Sequence, residues 1–133
     1  MASLLRRLAW LDLEHTTGCR LEVKQSAALQ TWIAPKKPAT PTFDIRERTG
    51  YYEGAAWLPQ IGRLAHIYVF AYHPIRDESA ADHRDPRQWC FYVLPSTRLP
   101  PNKTIGLSKL ASLSLAASWQ ELGELVEQAR LAL

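Results

Sequence analysis

Cysteine is almost missing from this chain of 133 residues. Only Cys19 and Cys90 occur, so there is neither a disulfide framework nor a zinc-ligand spacing, and both are expected as buried, reduced thiols. Long apolar runs are missing as well. No segment approaches the ~18 uninterrupted apolar residues of a membrane span. Ala2 to Leu11 is broken by Arg6-Arg7 and lacks the apolar stretch of a secretory signal, so a cytoplasmic location without a membrane partner is expected. There is no internal repeat, low-complexity tract, Gly-rich phosphate loop or nucleophile elbow, which speaks against a kinase, a P-loop enzyme and an α/β-hydrolase. Nor does one sign of charge dominate. A net charge of +3 and a pI near 9.0 suit a polyanionic partner without requiring one. Lys36-Lys37, Arg46, Arg48 and Arg63 are the candidate nucleic-acid contacts, and a solvated surface accounts for them equally well.

What is present is enough for one folded unit. Apolar residues make up 47% of the chain, which argues against disorder, and the length suits a single domain over residues 1–133.

The most telling stretch runs from Leu11 to Lys24. Thr16-Thr17-Gly18 suits a three-residue hairpin loop with Gly18 in the left-handed position. That loop sets His15 opposite Cys19, Glu14 opposite Arg20, Leu13 opposite Leu21 and Asp12 opposite Glu22. Side chains alternate along a strand, so Trp10, Asp12, Glu14, Arg20, Glu22 and Lys24 share one face, and the other is apolar with Leu11, Leu13, Cys19, Leu21 and Val23. A two-residue turn at Thr17-Gly18 would instead mix Asp12 with apolar side chains and is rejected.

In the preferred register two carboxylates lie directly opposite, their Cβ atoms about 4.5–5.5 Å apart, where like charges destabilise. A cation between them resolves the conflict. Mg²⁺ takes oxygen ligands, keeps several waters and is often held by one or two carboxylates, so Asp12 and Glu22 suffice, with Lys24 aimed at the same spot. The same pattern also describes a solvated hairpin in which Glu14–Arg20 is an ordinary ion pair and Lys24 lies diagonal to Asp12.

Asp12, nine intervening residues, then Glu22-Val23-Lys24 resembles the signature of the PD-(D/E)XK nuclease superfamily, an acid on one strand and (D/E)-x-K on the next. The continuation Gln25-Ser26, Phe43-Asp44-Ile45, Ile67-Tyr68-Val69-Phe70 and Trp89 to Pro95 looks like uncharacterised bacterial members of that superfamily, so the resemblance covers most of the chain. The chain departs in having Leu11 where proline is common, and in placing only eleven residues before Asp12, where such folds usually have a helix. The first helix is therefore truncated, borrowed from a partner, or part of sequence absent from this chain; separately, a homodimer stays open as the assembly.

The resemblance implies hydrolysis of phosphodiester bonds with Mg²⁺ or Mn²⁺ and a nucleic-acid partner, DNA first. Asp12, Glu22 and the carbonyl of Val23 would hold the metal. Lys24 would orient or help deprotonate the attacking water and stabilise developing charge, and Gln25 would position that water.

Further along, the three prolines between Pro35 and Pro41 force an extended connection. Thr42 to Arg46 alternates as a half-exposed strand, and Tyr51, Tyr52 and Trp57 are expected in a Gly-punctuated loop. Leu64 to Tyr72 reads as a central strand covered on both faces, with His66 a satisfied structural histidine. His73 to Gln88 is expected as an exposed polar loop joining it to a second buried strand, Trp89 to Pro95. A short strand at Lys103 to Leu107 leads to a brief helix, and Ser118-Trp119-Gln120-Glu121 has capping-box spacing before a helix with Leu122, Leu125, Val126, Ala129 and Leu133 at helical intervals.

The expected architecture is α/β, a mixed sheet of about five strands with a restriction-endonuclease-like core, a short or missing first helix, and C-terminal helices. Three functions stay open: a metal-dependent nuclease, a catalytically inactive nuclease-like interaction domain, and a nucleic-acid-binding module using Tyr51, Tyr52 and Trp57.

Overall fold

In the computed structural model, which describes residues 5–6, 13–15, 17–29, 41–53 and 55–133, the chain is mixed α/β. Its sheet follows the order β1 (Leu5–Arg6), β2 (Leu13–His15), β3 (Arg20–Ala27), β7 (Ile67–His73), β8 (Cys90–Pro95). Three long strands form its body. β3 runs parallel to β7, and β7 antiparallel to β8. The short strands β2 and β1 add antiparallel at the β3 edge.

Between β3 and β7 lie β4 (Thr42–Asp44) and a hairpin of β5 (Arg48–Glu53) and β6 (Ala56–Gly62). After β8 come β9 (Thr104–Gly106), which pairs with β4, and the helices α1 (Leu107–Leu113) and α2 (Trp119–Leu131).

The loop between β2 and β3 takes the expected register. Leu13 pairs with Leu21 and Glu14 with Arg20. Gly18 has φ +89°, the left-handed backbone that the three-residue loop demands.

Alternation sorts β3, β7 and β8 into two faces. Cys19, Leu21 and Ile67 lie on one face, where Val126 and Ala129 of α2 cover them. The other carries Tyr68, Phe70, Tyr92 and Leu94, packed under Phe43, Ile105 and Leu110 from β4, β9 and α1. Every residue of β7 is buried, as its continuous apolar run demands. Complete burial of side chains such as Phe70 and Leu94 contributes about 1.5–3 kcal/mol each.

Two polar braces hold the strand ends. His66 Nδ1 accepts the Arg20 N–H at 2.9 Å, so this histidine ties the start of β3 to the start of β7, as expected of a structural histidine. His73, fully buried at the other end of β7, bonds Gln88 Oε1 through Nε2 at 2.8 Å. Because that Oε1 also accepts the Asp82 N–H, Nε2 must be the donor. His83 lies against the His73 ring at 4.4 Å, and Trp89 Nε1 donates to the His83 carbonyl. Residues 74–89 are therefore pinned onto the sheet end rather than hanging from it.

The structure corrects three expectations. Tyr51, Tyr52 and Trp57 belong to the β5–β6 hairpin, not to a loop. Gly50 stands opposite Pro59 beside a register shift, so both punctuating residues fall where a ladder tolerates them. Leu133 lies beyond the end of α2 and is 59% exposed, so it takes no part in that helix's apolar stripe. Cys90 is only half-buried, although both cysteines are unpaired as expected. Among the described residues, no helix is long and apolar enough to cross a membrane.

Candidate active site

Glu22 and Lys24 are two positions apart on β3 and therefore share a face. The parallel ladder sets Glu22 beside Tyr68, Lys24 beside Phe70 and Ser26 beside Tyr72. Glu22 is 6% exposed, a carboxylate placed where desolvation penalises its charge. Lys24 answers that penalty. Its Nζ donates to Glu22 Oε1 at 2.9 Å, while about a quarter of the lysine side chain stays in contact with solvent. The pair thus has a buried anionic end and a partly open cationic end.

The wall beside it is aromatic. Phe70 is fully buried and meets Phe43 of β4 edge-on, the ring centroids 5.2 Å apart. Next along β4, Asp44 stands at the exposed rim. Its Oδ1 accepts the Arg46 N–H at 3.0 Å and Arg46 Nε at 3.2 Å. That main-chain bond above all, then the nearby charges of Arg46 and Lys24, holds the Asp44 carboxyl below the usual carboxylate range.

Of the residues singled out from sequence, Glu22 and Lys24 are brought together. Gln25 is not: it lies on the opposite face with Leu21 and Val23, exposed, so strand alternation turns it away from the water it was expected to position. Ser26 instead shares the face of Lys24. Asp12, Lys36 and Lys37 lie outside the described residues. Arg46 is exposed and engaged by Asp44. Arg48 opens β5 opposite Gly62.

Arg63 has a different occupation from the one expected of a nucleic-acid contact. Its guanidinium donates to the carbonyls of Ile45 at 2.8 Å, Pro100 at 2.7 Å and Asn102 at 3.2 Å, clamping three chain segments together.

Comparison with protein-family models, curated proteins and solved structures gives no match.

The donors can be weighed against a hard divalent cation directly. Among the described residues no group of three or more His, Cys, Asp or Glu side chains is arranged to hold a metal. Mg²⁺ does not need one, since one or two carboxylates, water and substrate oxygens complete its shell. Glu22, a nearly dry carboxylate beside a partly open lysine, fits as one such ligand.

Proposed function

We propose that this chain is a metal-dependent nuclease that hydrolyses phosphodiester bonds of nucleic acid. The observation that carries the reading is the Glu22–Lys24 pair, a desolvated carboxylate and an ammonium 2.9 Å apart on one face of β3. The restriction-endonuclease-like reading of the sheet belongs to the same proposal. The β2–β3 register supports it, because Leu13–Leu21 and Glu14–Arg20 are the pairs expected of that hairpin. DNA as the substrate, a cytoplasmic location and a homodimeric assembly are further parts of this reading.

Glu22 and Asp12 would hold Mg²⁺ or Mn²⁺, joined by the carbonyl of Val23. The bound ion supplies Lewis-acid polarisation of the phosphate and a lowered pKa for water. Lys24 orients the attacking water by hydrogen bonding and stabilises charge that develops on the phosphate oxygens. Burial of Glu22 keeps competing water away from its carboxylate, and the Phe70–Phe43 wall closes one side of the site.

One observation favours a second reading, nucleic-acid binding without cleavage. Trp57 is 47% exposed on the β5–β6 hairpin, an aromatic side chain of the kind on which bases stack.

Incubation with DNA and RNA in Mg²⁺ or Mn²⁺ separates the two. Cleavage that is lost in both Glu22→Gln and Lys24→Ala supports the nuclease. Cleavage that survives in both contradicts it, and binding without cleavage that is weakened by Trp57→Ala favours the second reading.

A further inference from the structure

His73 closes β7 with one ring nitrogen in use and the other idle. Its side chain is fully buried. Nε2 donates to Gln88 Oε1 at 2.8 Å, an oxygen that also accepts the Asp82 N–H, so the neutral ring carries its proton on Nε2 and its lone pair on Nδ1. Nδ1 is buried too, and has no hydrogen-bond partner among the described residues. A proton arriving there would make a buried cation whose new N–H finds no acceptor.

The surroundings do not supply one. From residues 74–89 the His83 ring lies 4.4 Å away, and its Nε2 donates to the Leu29 carbonyl at 3.0 Å, so it offers a second proton-binding ring and not a counter-charge. Asp85 is engaged elsewhere: its carboxyl is held below the usual range first by its bonds to Arg87 and least by a charge on His73. Asp82 Oδ1 accepts the Arg84 N–H. The Trp89 ring meets that of His73 at 5.0 Å, and burial keeps the next side chain, the Cys90 thiol, protonated. On β3 the ladder neighbour is Ala27, which carries no charge.

The same ring also holds the loop. Gln88 gathers His73, the Asp82 N–H and the Ala80 carbonyl, while Trp89 Nε1 donates to the His83 carbonyl. We propose that the His73–Gln88 contact is a proton-sensitive latch on residues 74–89: the closed loop requires a neutral His73, and acidification through the ordinary histidine range opens the loop while the sheet stays folded. The sign follows from linkage. An exposed histidine takes up its proton near pH ~6.5, so the open loop binds a proton that the closed loop excludes, and closure is firm above that pH and weakened below it. This does not depend on the nuclease reading.

Amide hydrogen exchange of the full chain at about pH 7.5 and about pH 5.5, corrected for the pH dependence of the chemical step, reads the opening. If only the open loop is protonated, its population rises about tenfold between the two conditions. The Asp82 amide and the Trp89 indole N–H are therefore expected to exchange about tenfold faster at the lower pH, and the β7 and β8 amides to change by less than about twofold. Carboxylates titrate nearer pH ~4 and do not produce this response. His73→Gln is expected to abolish it and His83→Gln to keep most of it. Where His73→Gln does not fold, nitrogen-15 spectra of the wild-type imidazoles take its place, and the closed protein is expected to show His73 with its proton on Nε2 and Nδ1 bare. Equal exchange at the two pH values, equal acceleration of loop and sheet, an acid response unaltered in His73→Gln, or a His73 ring that is charged while the loop stays closed each overturns the proposal.

Discussion

Lys24 Nζ stands 2.9 Å from Glu22 Oε1, and of the two side chains the glutamate is the one removed from water. Removing the lysine leaves a desolvated carboxylate without this counter-charge, whereas removing both charges does not. Lys24→Met is therefore expected to lower unfolding free energy by about 1–3 kcal/mol in urea titrations, and the double variant Glu22→Gln/Lys24→Met to recover most of that loss. A Lys24→Met variant as stable as wild type would mean that solvent already screens the carboxylate.

Gly18 is a test of the hairpin register itself. Among the described residues nothing lies within 4 Å of where its Cβ would be, so the penalty of an added methyl group is that of the left-handed backbone at φ +89°. Gly18→Ala is expected to destabilise by about 1–2 kcal/mol. An unchanged denaturation midpoint would show that the loop can do without that conformation.

Arg63 distinguishes a structural cation from a binding one. With three carbonyls losing their donor, Arg63→Ala should lower stability by about 1–3 kcal/mol in chemical denaturation. The salt dependence of nucleic-acid binding by the folded variant should be that of wild type. A shallower slope would place Arg63 on a phosphate.

The start of α2 supplies a pH test. Glu121 accepts both the N–H and the hydroxyl of Ser118, and these two bonds hold its carboxyl below the usual range. With a depressed pKa in the folded chain, its stabilisation is complete above the unfolded value of about 4.3 and is lost as pH falls through the lower folded value. The melting-temperature gap between wild type and Glu121→Ala should accordingly be widest near neutral pH and narrow on acidification. A gap that widens towards acid contradicts this.

Local rules made parts of the molecule legible. Gly18 and strict alternation specified the β2–β3 register, because the period of two leaves only one way to keep Cys19 and Leu21 together on an apolar face. A continuous apolar run identified β7, and the Ser118–Glu121 spacing marked the start of α2. Long-range pairing was not legible. That β3 would run parallel to β7, and that β4, β9 and α1 would cover the face bearing Glu22, depends on contacts between segments far apart in the chain. For the same reason the charged face of the hairpin is read as meeting only solvent or a cation, whereas Glu22 is buried. Gln25 was assigned by its neighbourhood in sequence, and the alternation that placed Lys24 correctly should also have turned Gln25 away.

The central claim is that a divalent cation is held on the Glu22 carboxylate, and calorimetric titration of Mn²⁺ into the folded chain tests it most directly. Saturable binding by wild type, abolished or weakened at least about tenfold in Glu22→Gln and Asp12→Asn while Gln25→Ala binds as wild type does, is the expected result. Binding that is absent in wild type, or unchanged in Glu22→Gln, would contradict the account.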